Sequence, residues 1–215
     1  MTECEVAGER LELLAERAAY WPAKKTLFVA DFHLGKAASF RAAGIPLPSG
    51  TTGENVERLG RAIDRSGAGR VVFLGDFLHS AEGRAARTLE RFAKWREERS
   101  ALALTLVRGN HDRKAGDPPP QWGIECVEAG ASLGPFVLNH EPGASPAGYA
   151  LAGHIHPAVR LRGAGDESLR LPCFWFAKRH GVLPAFGAFT GSALVRPRPG
   201  DRVYVVADEE VLRVG

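Results

Sequence analysis

Five short apolar runs punctuate the chain, and each ends on Asp, Asn or His. Thr26-Leu27-Phe28-Val29-Ala30 leads into Asp31-Phe32-His33, and Val71-Val72-Phe73-Leu74 into Gly75-Asp76. Ala101 to Val107 leads, through Arg108, into Gly109-Asn110-His111-Asp112. Phe136-Val137-Leu138 leads into Asn139-His140, and Tyr149-Ala150-Leu151-Ala152 into Gly153-His154-Ile155-His156. Apolar runs of this length, bounded by Gly, read as buried strands. A Gly after such a strand lets the backbone turn tightly. Open α/β sheets place their chemistry at the carboxyl ends of strands.

Between these runs the pattern changes period. Leu11 and Leu13 alternate with charged neighbours, which predicts strand, while 14–20 fits a strand or a helical turn. Residues 34–50 carry Gly35, Gly44, Pro46, Pro48 and Gly50 and read as a long loop, which beside a site is often functional. Val56, Leu59 and Ile63 then share one helical face; Thr51 or Thr52 is the expected cap and Gly67-Ala68-Gly69 the end. A second helix is predicted near 83–98, with Leu89, Phe92 and Trp95 as its apolar stripe. Asp117-Pro118-Pro119-Pro120 must be loop, because Pro joins neither a helix interior nor a ladder. Strands are predicted near 124–128, 136–140, 149–153 and 158–162. Asp201 to Arg213 reads as a closing hairpin with Val203, Val205 and Val211 inward. Early strands alternate with helices and later strands run together, which predicts two sheets face to face with helices outside.

The totals change little. The chain has 215 residues, enough for one domain, 1–215, with a sizeable core. It is 45% hydrophobic and 25% charged, as a globular protein is, and excludes a disordered or fibrous chain. A net charge of +3 tolerates phosphate-bearing substrates without demanding them. Cys4, Cys126 and Cys173 form no C-x-x-C pair and point to a reducing compartment. The first residues lack the regions of a signal peptide, and no apolar run approaches membrane-spanning length. A cytoplasmic protein with no membrane association is expected.

Taken together, D-x-H, G-D, G-N-H-D, a lone His and G-H-x-H resemble the calcineurin-like metallophosphoesterases, block by block and in order, from Asp31 to His156. A narrower likeness lies in Asp31 to Lys36, Phe40 to Pro46, and Leu183 to Gly191, which resemble the DNA-ligase-associated phosphoesterases of bacteria. The resemblance implies a four-layer α/β/β/α sandwich of two mixed sheets. It also implies a phosphodiesterase active on 2′,3′-cyclic nucleotides and an association with DNA-repair enzymes.

The residues themselves support a metal site. On an extended chain, residues one apart point the same way, so Asp31 with His33, and His154 with His156, can each share a cation. Asp76, Asn110 and His140 arrive singly. Imidazoles, carboxylates and an amide oxygen without thiolate suit Mn²⁺ above all, with Fe²⁺ or Zn²⁺ also accommodated. Seven ligands exceed what one catalytic ion with open positions needs; they fit two ions about 3.5–4 Å apart. The resemblance implies that Asp31, His33 and His156 hold one ion, that Asn110, His140 and His154 hold the other, and that Asp76 bridges. It also makes His111 the proton donor to the leaving alkoxide, with Asp112 expected to orient its imidazole and raise its pKa.

Lys36, Arg41, His79 and Arg108 are the candidates for substrate contact. His180, with Lys178 and Arg179, reads as surface. Trp122, Tyr149 and Trp175 read as packing residues before stacking platforms. Gly75-Asp76 continues into Phe77-Leu78-His79-Ser80, not the Asp-Arg-Gly of protein phosphatases, and no long added DNA-binding region is present. The substrates expected are small nucleotide phosphodiesters. The rivals are an end-processing nuclease beside a DNA ligase and a non-catalytic scaffold, the last weakened because every ligand and the acid His are in place.

Overall fold

Alternate residues of the same strands feed different cores. In β4 (Thr26–Val29), Leu27 and Val29 join one apolar cluster, while Phe28 joins another. In β5 (Arg70–Leu74), Val71 and Phe73 go one way and Val72 and Leu74 the other. That two-residue period is the strand's own geometry, so these strands are buried on both faces. The protein is described here by a computed structural model covering residues 1–45, 51–163 and 168–214.

The first sheet runs in chain order: β1 (Thr2–Val6), β2 (Glu9–Leu14), β3 (Ala18–Trp21), β4, β5, β6 (Ala103–Val107) and β7 (Ile124–Val127). Its first three pairings are antiparallel and its last three parallel. The second sheet contains β8 (Ala131–Leu133), β9 (Phe136–Leu138), β10 (Tyr149–Ala152), β11 (Pro157–Arg162), β12 (Ser168–Phe176), β13 (His180–Val182), β14 (Ala193–Leu194), β15 (Arg202–Ala207) and β16 (Glu210–Val214). It is also mixed, with β9, β10 and β13 parallel at its centre.

The helices α1 (Lys36–Ala42), α2 (Thr51–Ser66), α3 (Ala86–Glu98) and α4 (Asn110–Ala115) all precede the second sheet. Val56, Leu59 and Ile63 of α2 and Phe92 and Trp95 of α3 pack on the outer face of the first sheet. Phe28, Val72, Phe136, Leu151, Phe174 and Phe176 fill the space between the sheets. The two facing mixed sheets agree with the expected sandwich. Among the described residues no α-helix follows Ala115, so the second sheet's outer face carries a small apolar cluster of Val159, Cys173, Val203 and Val205. No described helix is long and apolar enough to cross a membrane.

Two expectations need correction. Residues 36–42 form α1 inside the stretch expected to be loop; 46–50 of that stretch lie outside the described residues, as do the side chains of Thr51 and Thr52. Of the two readings open for 14–20, residues 18–21 take the strand, since β3 pairs on both sides with β2 and β4. In the closing hairpin Val211 faces the inter-sheet core with Tyr204 and Val206, but Val203 and Val205 lie on the opposite face. One strand's period of two puts 204 and 206 on the face that 203 and 205 leave.

The sheets meet at one end. Phe186 N–H donates to the Ala30 carbonyl at 2.8 Å, and Gly187 N–H to the Asp31 carbonyl at 3.0 Å. This ties the loop after β13 to the end of β4, where the site lies.

Candidate metal centre

The apolar residues set between the polar ones anchor the site from below. Phe32, between Asp31 and His33, stacks on Phe77 at 5.4 Å and on Phe186 at 5.6 Å. Phe77, the residue after Asp76, meets Phe73 at 4.8 Å and Phe92 at 5.2 Å. Burying each such ring contributes about 1.5–3 kcal/mol, so the loops bearing the polar residues are held by the core itself.

The polar residues are aimed by strained backbone. Asp31, His33, Asp76, His154 and His156 have φ between 49° and 70° and make up five of the ten described non-glycine residues with positive φ. Such strain persists only where the surroundings enforce it, and it gathers at functional sites. The idea that each pair shares a direction through an extended chain is thereby replaced. Left-handed residues on both sides of Phe32 and of Ile155 turn the polar side chains together while Phe32 points into the core.

Two donor groups gather the expected ligands. One oxygen or nitrogen from each of Asp31, His33 and His156 lies within 4.8 Å of the others, and the same holds for Asp76, His140 and His154. A third set within the same distance, His33, His79 and His111, shares His33 with the first. His33 Nε2 is 3.4 Å from His156 Nε2, and His156 Nε2 is 3.5 Å from Asp31 Oδ1. His140 Nε2 is 3.0 Å from His154 Nδ1, 2.9 Å from Asn110 Oδ1 and 3.3 Å from Asp76 Oδ1. The groups adjoin, since His140 Nδ1 is 4.0 Å from Asp31 Oδ1.

The donors fit divalent cations. His140 Nδ1–H donates to the Leu74 carbonyl at 3.1 Å, and His156 Nδ1–H to the Gly191 carbonyl at 2.9 Å. Each bond turns an Nε2 toward its group, the arrangement by which metal-binding imidazoles are oriented. Burial pulls the His140 pKa down, but Asp76 and Asp31 outweigh it and lift it to about 9. Asp76, despite burial, is held down at about 2 by His140, the His111 amide and His33. The carboxylates thus call for positive charge where the imidazole nitrogens converge, and a cation supplies it.

Three glycines make room. A Cβ at Gly153 would come within 2.5 Å of Asp31 Oδ2, one at Gly109 would strike the Asp76 carboxylate, and one at Gly75 the His140 ring. Gly109 has φ −90°, so close approach, and not the tight turn expected from the sequence, requires glycine there. Gly75, at φ +81°, needs both.

The comparisons with known proteins agree with this geometry. The solved structure of the Pseudomonas putida nuclease MPE matches with a TM-score of 0.88 and 40% sequence identity, over 99% of this chain and 99% of that one. The chain belongs to the calcineurin-like metallophosphoesterases. The E. coli phosphoesterase YfcE matches with a TM-score of 0.43 and 16% identity, over 88% of this chain and 97% of that one. No family model and no curated protein matches the chain.

In this metallophosphoesterase His111 lies beside both groups but is fastened differently. Its Nδ1–H donates to the His79 carbonyl at 2.6 Å, and its Nε2 stands 3.9 Å from Asp76 Oδ2. The His79 carbonyl therefore orients the ring, a part expected of Asp112. Asp112 is buried and accepts from the amides of Gly109 at 2.9 Å, Leu78 at 2.8 Å and Phe77 at 3.3 Å. It pins the 76–78 loop to the start of α4 and so positions Asp76 and His111; all its bonds go to backbone, none to the imidazole.

His79 faces the site. Its ring stacks on His111 at 4.8 Å and on Phe40 at 6.1 Å, and its Nδ1 is 3.4 Å from His33 Nδ1. Burial, Lys36 and His111 hold its pKa near 4, so it stays neutral at ordinary pH and can accept the His33 N–H. Lys36, half-buried at the start of α1, bears on both His33 and His79 and is the site's nearest ammonium. Arg41 is exposed on the same helix. Arg108 is corrected as a substrate contact: it holds Asp117 through two bonds of 2.7 Å and Glu128 at 3.0 Å, so its charge is engaged. Trp122 is core, and the His180 ring packs edge-on against Trp175 at 5.6 Å.

Two features escaped the sequence reading. Phe189 is 51% exposed with φ +56°, two residues before the carbonyl that holds His156. Arg17 and Arg170, far apart in sequence, line a cavity together with His156. Nothing local to either arginine marks it, because sheet packing alone makes them neighbours.

Proposed function

We propose that this metal-dependent phosphodiesterase hydrolyses nucleotide phosphodiesters, with small ones such as 2′,3′-cyclic nucleotides among its substrates. The observation that carries this reading is His111, locked by the His79 carbonyl with Nε2 turned toward Asp76 and the donor groups. An alkoxide leaving from phosphorus needs a proton, and a positioned imidazole supplies one. Asp31, His33 and His156 would hold one cation, and Asn110, His140 and His154 a second, with Asp76 shared. When bound, the two cations would activate a water near neutral pH and offset charge building on the phosphoryl oxygens. Lys36 adds one ammonium, which suits the single charge of a diester better than the double charge of a monoester.

The donor set lacks thiolate, and that supports Mn²⁺ over softer choices. Three free thiols support a reducing cytoplasm. A link to DNA repair, and a ligase as partner, rests on the resemblance of Asp31 to Lys36, Phe40 to Pro46 and Leu183 to Gly191 to the ligase-associated subfamily. A second reading, an end-processing nuclease beside a DNA ligase, is favoured by the nuclease of 40% identity. With Mn²⁺, 2′,3′-cyclic AMP and bis(p-nitrophenyl) phosphate should be turned over faster than p-nitrophenyl phosphate. Preference for the monoester in a side-by-side kcat/KM comparison would defeat the proposal.

A further inference from the structure

A large aromatic side chain sits beside the metal centre without joining the core. Phe40, on α1, is half-buried and belongs to none of the three apolar clusters of the described residues. Phe32, Phe77 and Phe92 all pack into the first sheet's cluster, and α1 buries only Ala37. The Phe40 ring is turned to the site instead. It lies 6.1 Å from the His79 ring, with 18° between their planes. His79 in turn lies 4.8 Å from the His111 ring, at 20°. The three rings run in series and nearly parallel, with His79 in the middle. His33 meets His79 and His111 at 80° and 85° and does not join the stack.

Backbone contacts fix α1 to the loop that carries His79. His79 N–H donates to the Leu34 carbonyl at 3.1 Å, and Leu34 N–H to the Phe77 carbonyl at 2.7 Å. The Ser39 and Ser80 hydroxyls are 2.7 Å apart, and Ser80 Oγ accepts the Gly83 amide at 3.2 Å. A Cβ at Gly35 would strike the Gly83 carbonyl, so the two segments meet backbone to backbone there. One hydrogen bond fixes a point on a ring and not its plane. His111 is held at Nδ1 by the His79 carbonyl, and that bond alone leaves the imidazole free to tilt. A ring stacked on it resists the tilt, because offset-stacked rings attract.

We propose that Phe40 is a positioning residue for the proton donor. Its ring backs His79, and His79 sets the plane of the His111 imidazole and with it the direction of Nε2. This role rests on the phosphodiesterase reading, in which Nε2 gives its proton to the alkoxide oxygen as the P–O bond breaks. A flat ring holds the stack; an aliphatic side chain of similar bulk does not. Lys36, one turn earlier on α1, has Nζ 5.9 Å from the Phe40 ring centroid, so the same ring bears on the ammonium beside the site. Lys36 offers its charge to every diester alike, so a comparison of two diesters separates that effect from the acid.

The test uses Mn²⁺-loaded full-length protein with 2′,3′-cyclic AMP, whose leaving group is an alkoxide, and bis(p-nitrophenyl) phosphate, whose leaving group needs no proton. Phe40→Ala should lower kcat on the cyclic nucleotide about tenfold, a part of what a well-placed acid contributes, and slow the nitrophenyl diester much less. Phe40→Tyr keeps the ring and should restore kcat; Phe40→Leu keeps the bulk and should not. Should Phe40→Ala not fold, Phe40→Leu against Phe40→Tyr carries the same contrast. In the His111→Ala background, loss of the Phe40 ring should add almost nothing, because the group it positions is gone. In metal-free protein, the imidazole NMR signal that His111→Ala lacks should move in Phe40→Leu and stay near its wild-type place in Phe40→Tyr. Equal slowing of both diesters, an undiminished effect in His111→Ala, or full activity in Phe40→Leu overturns the role while the diesterase stands. So does a raised KM for the cyclic nucleotide with kcat unchanged, because Phe40 then stacks on the base, and so does loss of bound Mn²⁺. If the wild type cleaves no diester at all, the functional reading fails, and this role with it.

Discussion

Asp76→Ala should cost the protein both cations, a deeper loss than removing any ligand of a single donor group. Asp76 is buried, with Oδ1 3.3 Å from His140 Nε2 in one group and with its charge opposing, without overcoming, the burial that pulls the His33 pKa down in the other. Oδ1 also accepts the His111 amide at 2.9 Å, so the carboxylate is fixed before any cation arrives. Even the hydrogen-bond partners of metal ligands cost about 10–100-fold in affinity when removed, so a shared ligand should cost on the order of 10²-fold or more at each position. Asp76→Asn separates charge from shape: it keeps the side chain's volume and should still lose most of the metal. Elemental analysis after Mn²⁺ loading and desalting makes the comparison. Equal metal content in Asp76→Ala and Asn110→Ala would count against the shared role, because Asn110 contacts only the His140 side.

His111→Ala should do the reverse, keeping the metal and losing the chemistry. Its Nδ1 is spent on the His79 carbonyl, so its Nε2, 3.9 Å from the nearer Asp76 oxygen, is the nitrogen it turns to the donor groups it borders. Loss of a positioned acid should slow alkyl diesters on the order of 10²–10⁴-fold. Nitrophenyl esters leave without a proton and should be slowed far less. That contrast distinguishes a proton donor from a residue that merely shapes the site. A variant that loses metal, or slows both substrate types equally, would remove His111 from this role. Asp112→Asn should give a milder, substrate-independent loss, since its three amide contacts place the loop and not the imidazole.

The fold and the donor set were legible where the signal was periodic or local. The continuous apolar runs at 26–30 and 71–74 announced buried strands, and Val56, Leu59 and Ile63 announced the helix that covers them. The polar residues at strand ends could be gathered into a site because topology brings those ends together. What the sequence hid is tertiary. Period two could not say which face of the hairpin points inward, and both faces of β15 turned out to be covered. The glycines at 109 and 153 look like turn residues but exist to admit Asp76 and Asp31. The bond from His111 to the His79 carbonyl spans 32 positions, so adjacency wrongly favoured Asp112. Arg17 and Arg170 meet only because the two sheets pack, so no local pattern marks either.

Two cations, held by these residues, should drive phosphodiester hydrolysis. Metal-free protein should be titrated with Mn²⁺ while bis(p-nitrophenyl) phosphate hydrolysis and bound metal are followed in the same samples. The geometry predicts binding that saturates at two Mn²⁺ per chain, with most activity appearing as the second is taken up. Full activity in excess chelator, or saturation of both binding and rate at one ion per chain, would contradict it.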